Sequence, residues 1–509
     1  MSRFDLIHPL YLEFAYVDPV SLFRSLRGLP GTVFLDSEQR FNDLGRYSFL
    51  TADPFLILLN KGGITETGEG NRRNRSSQNP FLLLGEALSR FQSAHHPELP
   101  PFQGGAVGYF GYELAHHCRD QFWIGSPTSS NRSPSTTHCV KPLPFPIEKD
   151  DVNLPDLRMG FYSWVIAFDH LQEKNWIIAT GFPESDPMKR TKKAQSTIRQ
   201  IRQRIDRILT KKKTGSGAGV NGSQKGNLYR VGALKSNFPK TGYLKTIRKV
   251  QDYIRDGDVY QVNLAQRFGG GFSGSGLGLY LKLREINPAP FAAYLDCGTH
   301  RIISSSPERF LRVRGNRVET RPIKGTRPRS AKPEEDRRLA AELRSSIKDR
   351  AENLMIVDLL RNDLSKVCKK NSVLVPELFS LEEYPTVFHL VSTIEGTLRP
   401  GKSAVDLMEA SFPGGSITGA PKIRAMEIIT ELERRNRSAY CGSIAYLSFS
   451  GQMDSSIVIR TIIQKRNRCF FHVGGGITSD SDPEAEYQET LDKGKALFEA
   501  LRQKVPRSR

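Results

Sequence analysis

The chain has 509 residues, of which 38% are apolar and 25% charged, and its 74 Lys plus Arg against 54 Asp plus Glu give a formal charge of +20. That length can bury a large core, the composition argues against a disordered or membrane-embedded chain, and the positive balance favours anionic substrates or partners. No apolar run approaches the roughly 18 residues that span a bilayer. The start lacks a secretory pattern, and the six cysteines form no Cys-x-x-Cys pair. A cytoplasmic enzyme with free thiols and no membrane contact is therefore expected.

In chain order, the amino-terminal part reads as short alternating strands, among them Gly160 to Phe168 and Asn175 to Thr180. Two low-complexity stretches, Gly68 to Asn79 and Ser126 to Thr137, read as surface loops. His116-His-Cys118 and His138-Cys139 flank the second, in a spacing that fits no standard zinc site. Lys189 to Lys213 holds eleven basic residues in a helical pattern. Without a recognition motif this reads as a solvated face, not a nucleic-acid footprint. The Gly/Ser/Asn-rich run from Thr214 marks a linker, dividing the chain into 1–210, a linker at 211–228, and 229–509.

Beyond the linker, Tyr243 to Asp256 reads as a helix stopped by Gly257, and Gly269 to Gly276 as a flexible turn. Ile302 to Ser305, Phe310 to Val313, Ile444 to Phe449 and Ser456 to Ile463 read as strands. Hairpin-like pairs outnumber regular strand–helix alternation, which predicts an α+β fold with mostly antiparallel sheets. Within Arg321-Pro-Ile-Lys-Gly-Thr-Arg-Pro-Arg329, Lys324 reads either as a solvated hairpin lysine or as a nucleophile. The second needs a depressed pKa, which burial or the neighbouring Arg321, Arg327 and Arg329 would supply.

Two helical segments carry acids three apart, Asp349 with Glu352 and Glu486 with Glu489, each pair on one helix face. Singly these are solvated faces; together they are candidate Mg²⁺ ligands, the second helix being capped by Ser481 or Asp482 with Pro483 in its first turn. Gly474, Gly475 and Gly476 follow a strand and would let backbone N–H groups approach a carboxylate, or simply form a tight turn. Pro413 to Lys422 is a second glycine-rich loop leading into a helix from Ile423, whose amino end, with Lys422, would favour an anion.

Taken together, Gly257 to Phe268, Ser306-Pro-Glu-Arg-Phe310, Pro322-Ile-Lys-Gly-Thr326, Asp358 to Leu364, His389-Leu-Val-Ser392, Gly414 to Lys422 and Gly474 to Thr490 resemble the chorismate-utilising family. Gly104 to Tyr112 and the Asp36 to Asp53 region carry a weaker likeness. The resemblance implies a two-lobed fold, with large sheets forming a sandwich flanked by helices. It implies chorismate as substrate and Mg²⁺ as cofactor, held by Glu352 and Glu489 with Asp349 and Glu486 orienting waters. Lysine at 324, where anthranilate synthases carry alanine, implies the branch that makes 4-amino-4-deoxychorismate in folate synthesis. Gln261, where isochorismate synthases usually carry lysine, argues against hydroxylation. Lys324 as covalent nucleophile and Glu308 as acid are implied catalytic residues. Gly325, Thr326, His389, Thr418, Lys422, Tyr440, Arg460, Gly474, Gly475 and Gly476 are implied around the substrate. Ser37, Arg46, Tyr47, Pro290, Phe291 and Ala292 match a tryptophan pocket of some relatives, although Glu38 through Leu44 depart from the pattern. None of the cysteines has a glutaminase setting, so ammonia is expected from a separate glutaminase subunit in a heterodimer.

Overall fold

Apolar–polar alternation builds two large sheets whose strands pair antiparallel. A computed structural model describes residues 7–26, 28–37, 44–70, 72–117, 150–213, 229–384 and 387–506. Among these residues one sheet has 13 strands and the other 12. The sheets pack face to face through a shared core in which Val33, Phe49, Ala293 and Ile302 of the first meet Val107, Tyr109, Ile444 and Tyr446 of the second. Phe49 meets Tyr446 edge to face at 5.6 Å, and Tyr109 meets His300 at 5.7 Å. Such pairs each add about 0.5–1.5 kcal/mol beyond area burial. The expected α+β sandwich is thus the fold observed. No helix among the described residues is long and apolar enough to cross a membrane.

The two sides of the 211–228 segment share both sheets. Val33–Asp36 pairs with Phe291–Asp296 in the first, and Gly105–Phe110 with Ser443–Ser448 in the second. The division read from the linker is therefore not a division of the sheets. The helix Pro187–Lys213 takes in the first three residues of that segment, and residues 214–228 lie outside the described residues, as do the Ser126 to Thr137 loop, Cys118, His138 and Cys139.

Four local expectations need correction. The run from Gly160 to Phe168 is two strands, Leu157–Tyr162 and Trp164–Asp169, which belong to opposite sheets. Ser456 to Ile463 likewise divides into Met453–Ile457 and Thr461–Lys465, one in each sheet, with the crossing marked by Arg460 at φ +49°. Both segments are mostly buried on either side of the crossing, so polar–apolar periodicity does not show where the chain changes sheet. Gly269 to Gly276 is no turn: its first residues continue the strand Gln261–Gly274, where a Cβ on Gly269 would meet the Phe470 ring at 2.8 Å. Gly68 to Asn79 forms much of a hairpin, Ile64–Glu69 with Arg72–Ser76, whose exposed arginines keep the sheet edge from further pairing.

The helices that carry site residues form as expected. Lys240–Arg255 ends at Asp256 before Gly257, which has φ +83°. Ile347–Ser365 starts at Ser346, whose side chain accepts from the Asp349 N–H. Pro483–Ala500 starts at Asp482, which accepts from the Ala485 N–H, with Pro483 in the first turn. Each such cap is worth about 1 kcal/mol and fixes the rotation at which the following acids emerge.

Candidate active site

Lys324 lies in the strand Ile323–Pro328, not in a turn, and the pairing of that strand with Val387–Thr397 slips between Ile323 and Thr326. The slip is a β-bulge, a device that re-aims side chains. Gly325 makes it possible: its φ is +81°, and a Cβ there would meet Leu343 at 2.8 Å and Asp349 at 3.0 Å. The bulge turns the Lys324 ammonium inward, where it donates to the Ser416 carbonyl at 3.2 Å. Burial pulls the Lys324 pKa down against the opposing pull of Glu352, Glu308 and Glu489, and Lys493 adds to the lowering. The three arginines expected to do this are engaged elsewhere. Arg321 pairs with Glu382, Arg327 with Glu342 and Asp349 at 2.8 and 3.1 Å, and Arg329 with Asp336 at 2.7 Å.

Glu308 is 5% exposed, and burial raises its pKa although the Ser416 hydroxyl, Lys324, the Ile323 backbone and Arg460 favour its charged form. It is thus a carboxyl set toward holding a proton near an amine set toward losing one, the pairing a nucleophile and general acid require. Arg460 sits in the field of Glu308, and burial lowers its pKa. His389 is buried, accepts from or donates to Thr326 Oγ1 at 2.9 Å, and is held down to about 3 by burial and then by Arg460. It is therefore neutral at physiological pH.

The two acidic pairs converge across helices. Gln261 Nε2 donates to Glu352 at 3.3 Å, and burial raises the Glu352 pKa. A Cβ on Gly475 would lie 3.1 Å from Glu486 and 3.5 Å from Glu489, so the glycine strand passes directly beside the second pair. Ser481 donates to Glu486 Oε1 at 2.6 Å, while Glu486 Oε2 is buried without a partner. Burial raises Glu489, yet its pKa is lowered on balance by Lys493, whose ammonium stands 2.6 Å away. Asp349 is held by Arg327. Among the described residues no group of three or more His, Cys, Asp or Glu side chains is placed to hold a metal ion. Mg²⁺ commonly takes only one or two carboxylates and completes its shell with water and substrate oxygens. An orphaned carboxylate oxygen and a side-chain-free strand beside all-oxygen donors fit that ion.

Thr418 is fully buried, its hydroxyl donating to the Gly414 carbonyl at 3.1 Å and its own carbonyl accepting from Asn263 N at 2.8 Å. Gly474 and Gly476 pair with Ala265 and Asn263. Tyr440 stacks on His472 at 4.8 Å, two residues before Gly474. Lys422 is not brought to this group: it is buried against Asp363 at 2.6 Å and the Ser411 carbonyl at 2.9 Å. Its role is to tie the helix Lys422–Glu433 to Ile347–Ser365. Sequence reasoning missed Ser416 and Lys493. Lys493 stands one helical turn after Glu489, a spacing that was available as a signal.

Between the sheets a cavity of about 240 Å³ is lined by Ser37, Arg46, Tyr47, Pro290, Phe291 and Ala292, and by Arg309 and Asp454. The structure brings all six of the first group together. Arg46 is committed to Asp169 at 2.7 Å, and residues 38–43 lie outside the described residues.

A family model described as chorismate binding enzyme matches residues 60–499. The chain is 40% identical to aminodeoxychorismate synthase component 1 of Escherichia coli K12, over 94% of this chain and 95% of that one. It is 37% identical to anthranilate synthase component 1 of Acetivibrio thermocellus, over 97% and 95%. The crystal structure of anthranilate synthase component I from Streptococcus pneumoniae superposes with a TM-score of 0.70 at 31% identity, covering 88% of this chain and 91% of that one.

Proposed function

The chain belongs to the chorismate-binding enzymes, and we propose that it converts chorismate and ammonia to 4-amino-4-deoxychorismate in the cytoplasm. The observation that carries this reading is Lys324, an amine of lowered pKa on a bulge, held beside a buried carboxyl of raised pKa. The likeness to aminodeoxychorismate synthase component 1 supports the same branch.

The neutral Lys324 amine attacks C2 of the ring, the two conjugated ring double bonds shift, and the C4–O bond breaks as Glu308 gives its proton to the departing hydroxyl, which leaves as water. The adduct nitrogen returns a proton to Glu308. Ammonia then attacks C4, both double bonds shift back, and the C2–N bond breaks. The proton shed by the new C4 nitrogen goes to the departing lysine. The net change is replacement of the C4 hydroxyl by an amino group, with one water released.

Arg460 and the N–H groups around Gly475 and Gly476 would grip the enolpyruvyl carboxylate, with Tyr440 beside it. Gly325, Thr326 and His389 would line the ring, His389 as a neutral hydrogen-bonding group. Glu352 and Glu489 would hold Mg²⁺, with Asp349 and Glu486 orienting its waters. When bound, the ion would neutralise the ring carboxylate. Ammonia would come from a separate glutaminase subunit. The inter-sheet cavity would take tryptophan, with Tyr47 and Phe291 against its ring.

Mass spectrometry of products from purified protein, chorismate, Mg²⁺ and ammonium at mildly alkaline pH tests this. 4-Amino-4-deoxychorismate is expected; anthranilate would instead make Lys324 a bystander.

A further inference from the structure

Lys324 carries its amine on a flexible stem, and among the described residues the one hydrogen bond of that amine goes to the Ser416 carbonyl, at 3.2 Å. Whatever fixes that carbonyl therefore sets the direction of the amine. Ser416 lies on the short turn Gly415–Ile417, and the donors to its carbonyl are two side chains, Lys324 Nζ and, at 3.1 Å, Asn263 Nδ2. A carbonyl oxygen has two lone pairs, so these two donors fill it.

Resting on the reading above, we propose that Asn263 is a positioning residue of the reaction, its carboxamide holding the Ser416 carbonyl at the angle from which Lys324 reaches the ring. The residue can do this because its own backbone is fixed on both sides. Its N–H donates to the Thr418 carbonyl at 2.8 Å, and its carbonyl accepts from the buried Arg437 guanidinium at 2.6 Å. Arg437 also donates to the Ile417 carbonyl at 3.1 Å, and its other donors go to Glu433 at 2.6 and 2.9 Å. The strand Gln261–Gly274 and the turn that carries Ser416 are thus laced together at Asn263, Ile417 and Thr418. From that fixed backbone a short side chain delivers Nδ2 to Ser416.

Room for the carboxamide comes from the neighbouring strand. Asn263 pairs with Gly476 of Arg468–Ile477, and a Cβ on Gly476 would lie 2.2 Å from Gln261 Nε2 and 3.6 Å from Asn263 Oδ1. Gln261 and Asn263 stand two apart on one strand and so share a face. The first donates to Glu352 at 3.3 Å, the second to the carbonyl that holds Lys324. A carbonyl can only accept, so the Asn263 nitrogen faces Ser416 and its oxygen is left toward Gly476. A neutral amine that donates one N–H to a carbonyl held in this way has its lone pair turned away from it. One fixed direction gives attack at C2 its advantage over a freely rotating lysine.

The test compares Asn263→Leu with the unchanged enzyme, using chorismate, Mg²⁺ and saturating ammonium. Leucine has the same branched shape, keeps both backbone bonds, offers no donor and leaves no space for a water to supply one. It is expected to lower kcat by at least about tenfold while the chorismate KM changes by less than about threefold, the pattern of an arrangement lost in the transition state. With ammonium left out, the chorismate adduct on Lys324, followed by mass spectrometry, should form at least about tenfold more slowly. Should the leucine variant fail to fold, Asn263→Asp carries the same test, because it keeps size and polarity but turns an acceptor toward the carbonyl. An adduct rate within about twofold of the unchanged enzyme overturns the proposal, as does a rise in KM that accounts for the whole loss in kcat/KM, which would place Asn263 in substrate binding alone. Failure of the underlying reading shows separately, as a different product or no Lys324 adduct from the unchanged enzyme.

Discussion

Lys324 and Glu308 have pKa values that burial moves toward each other, the amine down and the carboxyl up. Catalysis needs the amine neutral and the carboxyl protonated, so the active fraction rises about tenfold for each unit by which the two values converge. While the amine remains the weaker acid, the rate climbs with pH up to the Glu308 value, stays level, and falls above the Lys324 value. Glu308→Gln should abolish the acid-side bend and lower kcat by about 10²–10⁴-fold; a retained bend would assign it to another group. Lys324→Ala should lose turnover while still binding chorismate in the presence of Mg²⁺, as read by calorimetry. At this scale Lys324 and Glu308 were singled out from their motifs, and both are buried within each other's field. The source of the lysine's shift was not: Arg321, Arg327 and Arg329 are adjacent in sequence, but their partners Glu382, Glu342 and Asp336 come from other elements. Ser416 escaped because a backbone carbonyl leaves no mark in the sequence, and Lys493 was legible only through its place one helical turn after Glu489.

The bulge at Gly325 is the element on which Lys324 depends. Gly325→Ala would place a methyl group 2.8 Å from Leu343 in a backbone region at φ +81° that costs a non-glycine residue about 1–2 kcal/mol. The expected result is a kcat loss comparable to that of Lys324→Ala, with the far-ultraviolet circular dichroism unchanged. Wild-type turnover would show that the lysine does not need the bulge. The helix Pro483–Ala500 was legible because Asp482 and Pro483 mark its start, whereas the Ser346 cap of Ile347–Ser365 emerged only in the structure. The strands 157–169 and 453–465 were not resolved into pairs. Each crosses from one sheet to the other inside a mostly buried stretch, at Ser163 and at Val458 to Arg460, so no solvent-facing side marks the change.

Across the whole molecule, the interleaving of the chain's two sides means that residues 229–509 alone would leave Phe291–Asp296 and Ser443–Ser448 as bare edge strands, each paired on one side only. That fragment should be insoluble or inactive on its own, and a soluble fragment with full ammonia-dependent turnover would contradict the shared-sheet account. The sandwich also buries His300 and His389 in neutral form, each held down to about 3 mainly by burial. The unfolded chain takes up those protons near the usual 6.5, so stability falls as pH drops from about 6.5 toward 3, by roughly 3–5 kcal/mol per histidine at the low end. The urea midpoint should therefore be lower at pH 5 than at pH 7, and His300→Gln should shrink the difference. Strand pairing between distant segments was invisible in the sequence, where a glycine-rich linker suggested separable parts. Under the proposed function this architecture would hold one amine against one ring carbon, and peptide mass spectrometry of protein mixed with chorismate and Mg²⁺ but no ammonia tests that most directly. The account predicts an adduct of chorismate less one water on the peptide containing Lys324, absent from Lys324→Ala and discharged by added ammonium. Turnover by Lys324→Ala at the unaltered rate, with no adduct on the parent protein, would contradict it.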